Sequence, residues 1–154
     1  MLTEFMKKEL ESIMGNSKWE YPLNLAMACS WLAANYKAEN IKIFKAPEES
    51  SLSDYYVIAT LQTAMQSQSL AEDIQRSMRN NQITTLSIEG QKDGEWVLID
   101  LGDTIIHLFT MTSRDVYNLD ELWMKYRRVE IPEDFYFSSS VSETKKDEFD
   151  DYIS

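Results

Sequence analysis

A single cysteine, a single histidine, four glycines and three prolines among 154 residues exclude several protein classes at once. One thiol, Cys29, makes no intramolecular disulfide, and His107 alone makes no histidine cluster, so disulfide scaffolds and the usual zinc sites are ruled out. Positive charge is also scarce: 15 Lys and Arg stand against 26 Asp and Glu, a net of −11 with a pI near 4.5. That balance opposes a phosphate-driven grip on DNA or RNA, while leaving room for a basic protein partner. No apolar run approaches the roughly 18 residues of a membrane span. The first residues mix Glu4, Glu9 and Glu11 with lysines and lack the apolar stretch of a secretory signal, so a soluble cytoplasmic protein is expected.

What remains is globular material, 44% hydrophobic and 27% charged, of a length that suits one domain with a tail. Residues 1–20 read as an N-terminal extension, a loosely docked helix with Leu2, Phe5, Met6, Leu10 and Ile13 on one stripe, broken at Gly15-Asn16. Residues 21–132 carry the α/β domain. Residues 133–154 hold seven acids and two lysines without amphipathic period, the composition of a disordered acidic tail.

Within the domain, Pro22 suits the first turn of a helix running to about Lys37. The run IKIFKA, Ile41 to Ala46, is a strand stopped by Pro47, and YYVIAT, Tyr55 to Thr60, is apolar enough to be central in a sheet. Thr63 can cap a helix to about Asn80 that turns Glu72, Asp73, Arg76 and Arg79 to water. A strand from Ile83 to Ile88 follows, and strand, helix and strand in this order predict a right-handed crossover with those two strands parallel. A short helix from Asn118 to Tyr126 ends at Arg127-Arg128, cations that suit a helix C-terminus. The expected fold is therefore α/β, a mixed parallel and antiparallel sheet of about five strands packed with helices.

Two strands, Glu95 to Leu101 and Thr104 to Met111, are separated only by Gly102-Asp103, which predicts a tight hairpin. The short loop fixes the register, from Leu101 opposite Thr104 to Trp96 opposite Phe109. Val97, Ile99, Leu101, Ile106 and Leu108 then share one face, and Trp96, Leu98, Asp100, Ile105, His107 and Phe109 the other. Both faces are apolar, and three substantial helices are too few to cover both across a whole sheet. Trp96, Leu98, Ile105 and Phe109 would then expose a patch of about several hundred Å², the size that marks an interaction site. Alternatively Leu122 and Trp123 fold back over this face and Trp96 is core. His107, without a second histidine, reads as a hydrogen-bonded core or interface residue before it reads as a catalyst. Phosphate-binding glycine loops and the GxSxG setting of a serine nucleophile are absent, and Cys29 lies mid-helix. Asp54, Asp100 and Asp103 are the one weak set for a divalent metal.

Four segments in order carry a resemblance: SLSDYYVIAT (Ser51 to Thr60), IEG (Ile88 to Gly90), EWVLIDLGDTIIHLF (Glu95 to Phe109), and Arg114 with YNLDELW (Tyr117 to Trp123). Together they resemble the ribosomal silencing factor family, also called Iojap-like proteins. The resemblance implies a nucleotidyltransferase-like architecture without catalysis, metal or cofactor. It also implies a translational repressor that binds ribosomal protein L-fourteen on the large ribosomal subunit and blocks joining with the small one. A homodimer in isolation and at most peripheral contact with rRNA are implied as well. The partner-binding region maps to the hairpin, at Trp96, Leu98, Asp100, Asp103, Ile105 and His107, with Trp96 as anchor. Two other readings stay open: a divalent-metal-dependent nucleotidyltransferase-like enzyme using Asp54, Asp100 and Asp103, which requires those carboxylates to converge, and a homodimeric scaffold.

Overall fold

The computed structural model describes residues 2–49 and 52–137. Helix α1 (Glu4–Met14) starts where the Thr3 side chain accepts the Met6 N–H at 3.1 Å. Its Leu10 and Ile13 are buried in the main core, where the helix packs against the one that follows it. Helix α2 (Leu23–Asn35) follows, and every residue from Leu25 to Ala33 is buried. A helix apolar on all sides is buried on all sides, and α2 lies between the sheet, α1 and the helix that follows β2.

Strands β1 (Glu39–Lys45) and β2 (Tyr55–Leu61) pair antiparallel, with a bulge between Glu39 and Lys42. Helix α3 (Ala64–Asn80) opens on a capping box in which Thr63 and Gln66 satisfy each other's backbone N–H. Asp73, expected to face water, is buried on α3 and accepts the Tyr36 hydroxyl at 2.5 Å. Then come β3 (Ser87–Glu89), β4 (Trp96–Asp100) and β5 (Thr104–Thr110). Helices α4 (Met111–Tyr117) and α5 (Leu119–Leu122) lead to β6 (Arg127–Val129) and a 3-10 turn at Glu133–Phe137.

The sheet has six strands in the order β3-β4-β5-β2-β1-β6, with β2 and β5 central and parallel. The mixed α/β class is as expected, but three details differ. First, β3 runs in the same direction as β2, as the crossover predicts, but is not its neighbour: it has only three residues, sits at the edge and pairs antiparallel with β4. The crossover from β2 through α3 overshoots by two positions, and the hairpin fills the gap, so the parallel partner of β2 is β5. Hydrogen bonds along the whole of β5 outweigh what a short, polar β3 can offer a central strand. Second, the helix expected from Asn118 to Tyr126 is a single turn, α5 (Leu119–Leu122), and an additional helix, α4, precedes it across Asn118, which takes a left-handed conformation (φ 46°). Third, Arg127-Arg128 are not at a helix end; they lie on β6, the sixth strand, paired with β1. Residues 133–137, read from sequence as the start of the acidic tail, form a 3-10 turn that buries Phe135 against Trp19, ring centroids 5.6 Å apart. Residues 138–154 lie outside the described residues.

Candidate functional site

The hairpin has the predicted register, Trp96 opposite Phe109 through Asp100 opposite Ile105, and closes where the Leu101 N–H donates to the Thr104 carbonyl at 2.9 Å. Gly102 makes the turn possible with φ 94°, a conformation in which a side chain is strained. Strand alternation then sends Val97, Ile99, Ile106 and Leu108 into the core beneath α2 and α3. The opposite face carries Trp96, Leu98, Asp100, Ile105, His107 and Phe109. No long helix covers it; α4 and α5 lie over part of it, and Trp123 enters a second, smaller core with Phe44, Tyr56, Ile58 and Phe109.

Both alternatives for Trp96 are therefore partly realised. Trp123 folds back and is buried, but Leu122 points to solvent, 68% exposed, and Trp96, Leu98 and Ile105 stay half-exposed. Trp96 is held rigidly: its indole N–H donates to His107 Nδ1 at 3.0 Å, and its ring packs on Phe109 at 5.1 Å and on Tyr117 at 4.4 Å. His107 is buried, which pushes its pKa down to about 4. The neutral ring accepts from Trp96, so His107 positions the indole and does not itself reach solvent.

The two carboxylates divide. Asp100 lies at the turn end of the same face, about 13 Å along the strand from Trp96, and accepts the Gly102 N–H at 2.8 Å. Asp103 is exposed and accepts the Tyr21 hydroxyl at 3.0 Å, next to the start of α2 on the other side of the sheet. Hence Trp96, Leu98, Ile105 and His107 form one continuous patch with Asp100 at its end, and Asp103 is turned away. Among the described residues no three His, Cys, Asp or Glu side chains gather as metal ligands, so the carboxylate convergence that the enzyme reading requires is not met. Burial pushes the Cys29 thiol up to about 12, where it is inert as a nucleophile.

Sequence spacing did not reveal what holds α5 over the sheet. Arg114, buried at the end of α4, forks onto Asp120 with Nε–Oδ2 2.8 Å and Nη2–Oδ1 2.9 Å, and its Nη1 donates to Thr60 Oγ1 on β2 at 2.9 Å. Lys42 on β1 reaches Asp120 Oδ1 at 2.8 Å. The Arg114 hydrogen bonds hold the Asp120 carboxyl well below the usual range despite its partial burial. Arg114 and Asp120 both fall in the segments that carried the resemblance, but a pair six residues apart across a left-handed Asn has no helical signature. Tyr117, 53% exposed beside Trp96, was the other contributor to the patch that pattern alone left out.

The sequence profile of the family described as "ribosomal silencing factor during starvation" (RsfS) matches residues 20–152. The chain belongs to this family. The ribosomal silencing factor RsfS of Bacillus subtilis is 34% identical over 87 residues, which are 56% of this chain and 74% of that protein. A crystal structure from Bacillus halodurans, 31% identical, superposes with a TM-score of 0.59 over 71% of this chain and 96% of its own. A mouse protein named "Mitochondrial assembly of ribosomal large subunit protein 1" is 25% identical over 89 residues, 56% of this chain and 39% of that protein. Membership in the RsfS family makes translation regulation at the ribosome the protein's field of action.

Proposed function

We propose that the protein is a cytoplasmic translational repressor that seats the Trp96 patch on ribosomal protein L-fourteen of the large ribosomal subunit and thereby blocks joining of the small subunit. The observation that carries this reading is the one sheet face left half covered in a member of a ribosomal silencing family. Its rigid indole is flanked by Leu98, Ile105 and Tyr117, the composition of an interface centre. The mouse relative's name, which refers to the ribosomal large subunit, supports the large subunit as the place of action. Asp100 at the end of the patch suits a lysine or arginine of a basic ribosomal protein and would set register and on-rate. Repression by this route needs no chemistry: occupancy of the joining surface is sufficient.

Sucrose-gradient sedimentation tests the proposal. The protein is expected to comigrate with large subunits and to deplete joined ribosomes. Trp96→Ala is expected to weaken large-subunit binding at least about tenfold with the fold intact, because a central aromatic anchor contributes upwards of about 1.4 kcal/mol. An unchanged ratio of free subunits to joined ribosomes would refute the mechanism.

A further inference from the structure

The Trp96 patch is small for an interface. Trp96, Leu98 and Ile105 are each half-covered and His107 is buried, so together they offer far less than the roughly 800 Å² per partner of a standard protein interface. Further apolar area lies next to them. Of the eleven large apolar side chains that stand exposed among the described residues, five fall within residues 111–124: Met111, Val116, Tyr117, Leu122 and Met124. This segment, α4 and α5 with the turn after them, is the partial cover of the Trp96 face. Tyr117 packs on the Trp96 ring at 4.4 Å, and in sequence Leu122 and Met124 flank Trp123, whose ring lies 5.4 Å from the His107 that holds the indole. The segment is also fixed in place. Arg114 forks onto Asp120, Lys42 reaches Asp120 from β1, and Asn118 Nδ2 donates to Glu121 Oε2 at 2.7 Å. The exposed charges of α4 and α5, Asp115 and Glu121, are both acidic.

We infer that the outer surface of α4 and α5 is the second half of the docking surface, so that the basic ribosomal protein seated on Trp96 also covers Tyr117, Leu122 and Met124. This rests on the Trp96 reading above and deepens it. Continuity selects the occupant: Tyr117 lies against the indole, so a partner large enough to bury Trp96 meets α4 at once. Charge agrees, since Asp115 and Glu121 suit lysine and arginine on that partner as Asp100 does. The composition agrees too, because tyrosine and methionine are enriched where proteins meet and acids are kept to the rim. The two halves differ in kind. Trp96 is an indole locked by His107, whereas Leu122 and Met124 are flexible side chains on a clamped backbone, able to adapt to the partner's shape while little backbone order is lost on binding.

Pelleting of the full-length protein with purified large subunits tests this. Leu122→Asp/Met124→Asp is expected to weaken binding at least about tenfold, because docking would bury two carboxylates in an apolar contact. Thermal unfolding should be unchanged, since both side chains already face solvent. Leu122→Ala/Met124→Ala should weaken binding less. Phe5→Asp, which places the same charge on exposed α1 across the sheet, should bind as wild type; an equal loss there would overturn the inference as a mere effect of added charge. Wild-type affinity in the aspartate double variant beside weakened binding in Trp96→Ala overturns this inference alone, and wild-type affinity in both overturns the Trp96 reading with it. Loss in the double variant but not in Trp96→Ala supports α4 and α5 as a contact and refutes the indole as anchor. Cross-links from a photoreactive residue at position 122 should reach the same ribosomal protein as those from position 96. Cross-links to rRNA, to a different ribosomal protein or to a second copy of the chain overturn the inference.

Discussion

At the scale of single residues, two side chains in the patch act through others. His107 is kept neutral by burial so that its Nδ1 accepts the Trp96 N–H. Its folded pKa of about 4 lies below the unfolded value of 6.5, so the unfolded chain takes up a proton first as pH falls. Stability is therefore fully present above pH 6.5 and declines through that window to about pH 4, by up to about 3 kcal/mol. Urea unfolding of the wild type should show this slope, and a His107→Leu variant should lose it. Arg114 supports the patch from behind. Arg114→Ala leaves the Asp120 carboxylate and Thr60 hydroxyl without their partner, and a loss of about 3 kcal/mol is expected in denaturant unfolding. Lysine cannot replace the fork, so Arg114→Lys should recover only part of the loss.

At the scale of elements, the hairpin was legible because every determinant is local. A Gly-first two-residue loop fixes register, and register fixes the two faces. The edge strand β3 was not, because three residues carry no reliable period and its neighbour is chosen by the hairpin that returns beside it. The loop between β3 and β4 also depends on Gly90. With φ 79°, a Cβ there would stand 2.0 Å from the Trp96 carbonyl oxygen. Gly90→Ala must therefore displace the start of β4, and with it the indole anchor. It is expected to destabilise by at least about 2 kcal/mol, with thermal unfolding and large-subunit binding both impaired. At the other end, β6 stands where a helix terminus was expected, so Arg127 and Arg128 are exposed strand residues and not cations that complement a helix dipole.

At the scale of the whole molecule, the two faces of the sheet are covered unequally. Among the described residues, three long helices gather on one face of the sheet, and the other receives only the short segment from Met111 to Tyr126. In the function proposed above, the half-covered face is the one that meets the ribosome. The face proposed for contact was readable from the sequence: the placement of Trp96, Leu98, Ile105 and His107 on one side follows from hairpin alternation. Asp103 was not, since its tie to Tyr21 joins residues 82 positions apart.

The sequence by itself determined the α/β class, the main helices with their boundaries near Thr63 and Asn80, the hairpin register and the two apolar faces. Those properties depend on neighbours a few residues apart, through capping, alternation and turn chemistry. Tertiary structure alone decided the strand order, the exposure of Trp96, the neutrality of His107 and the clamp of Arg114 on Asp120. Each of these depends on which distant surfaces meet, and burial and charge pairing between them are set only when the sheet closes its order. The β6 cations are the clearest case: Arg127 and Arg128 are neighbours in sequence, yet strand alternation sets Arg127 beside Lys45 on the helix side of the sheet and Arg128 over Phe44 on the other side.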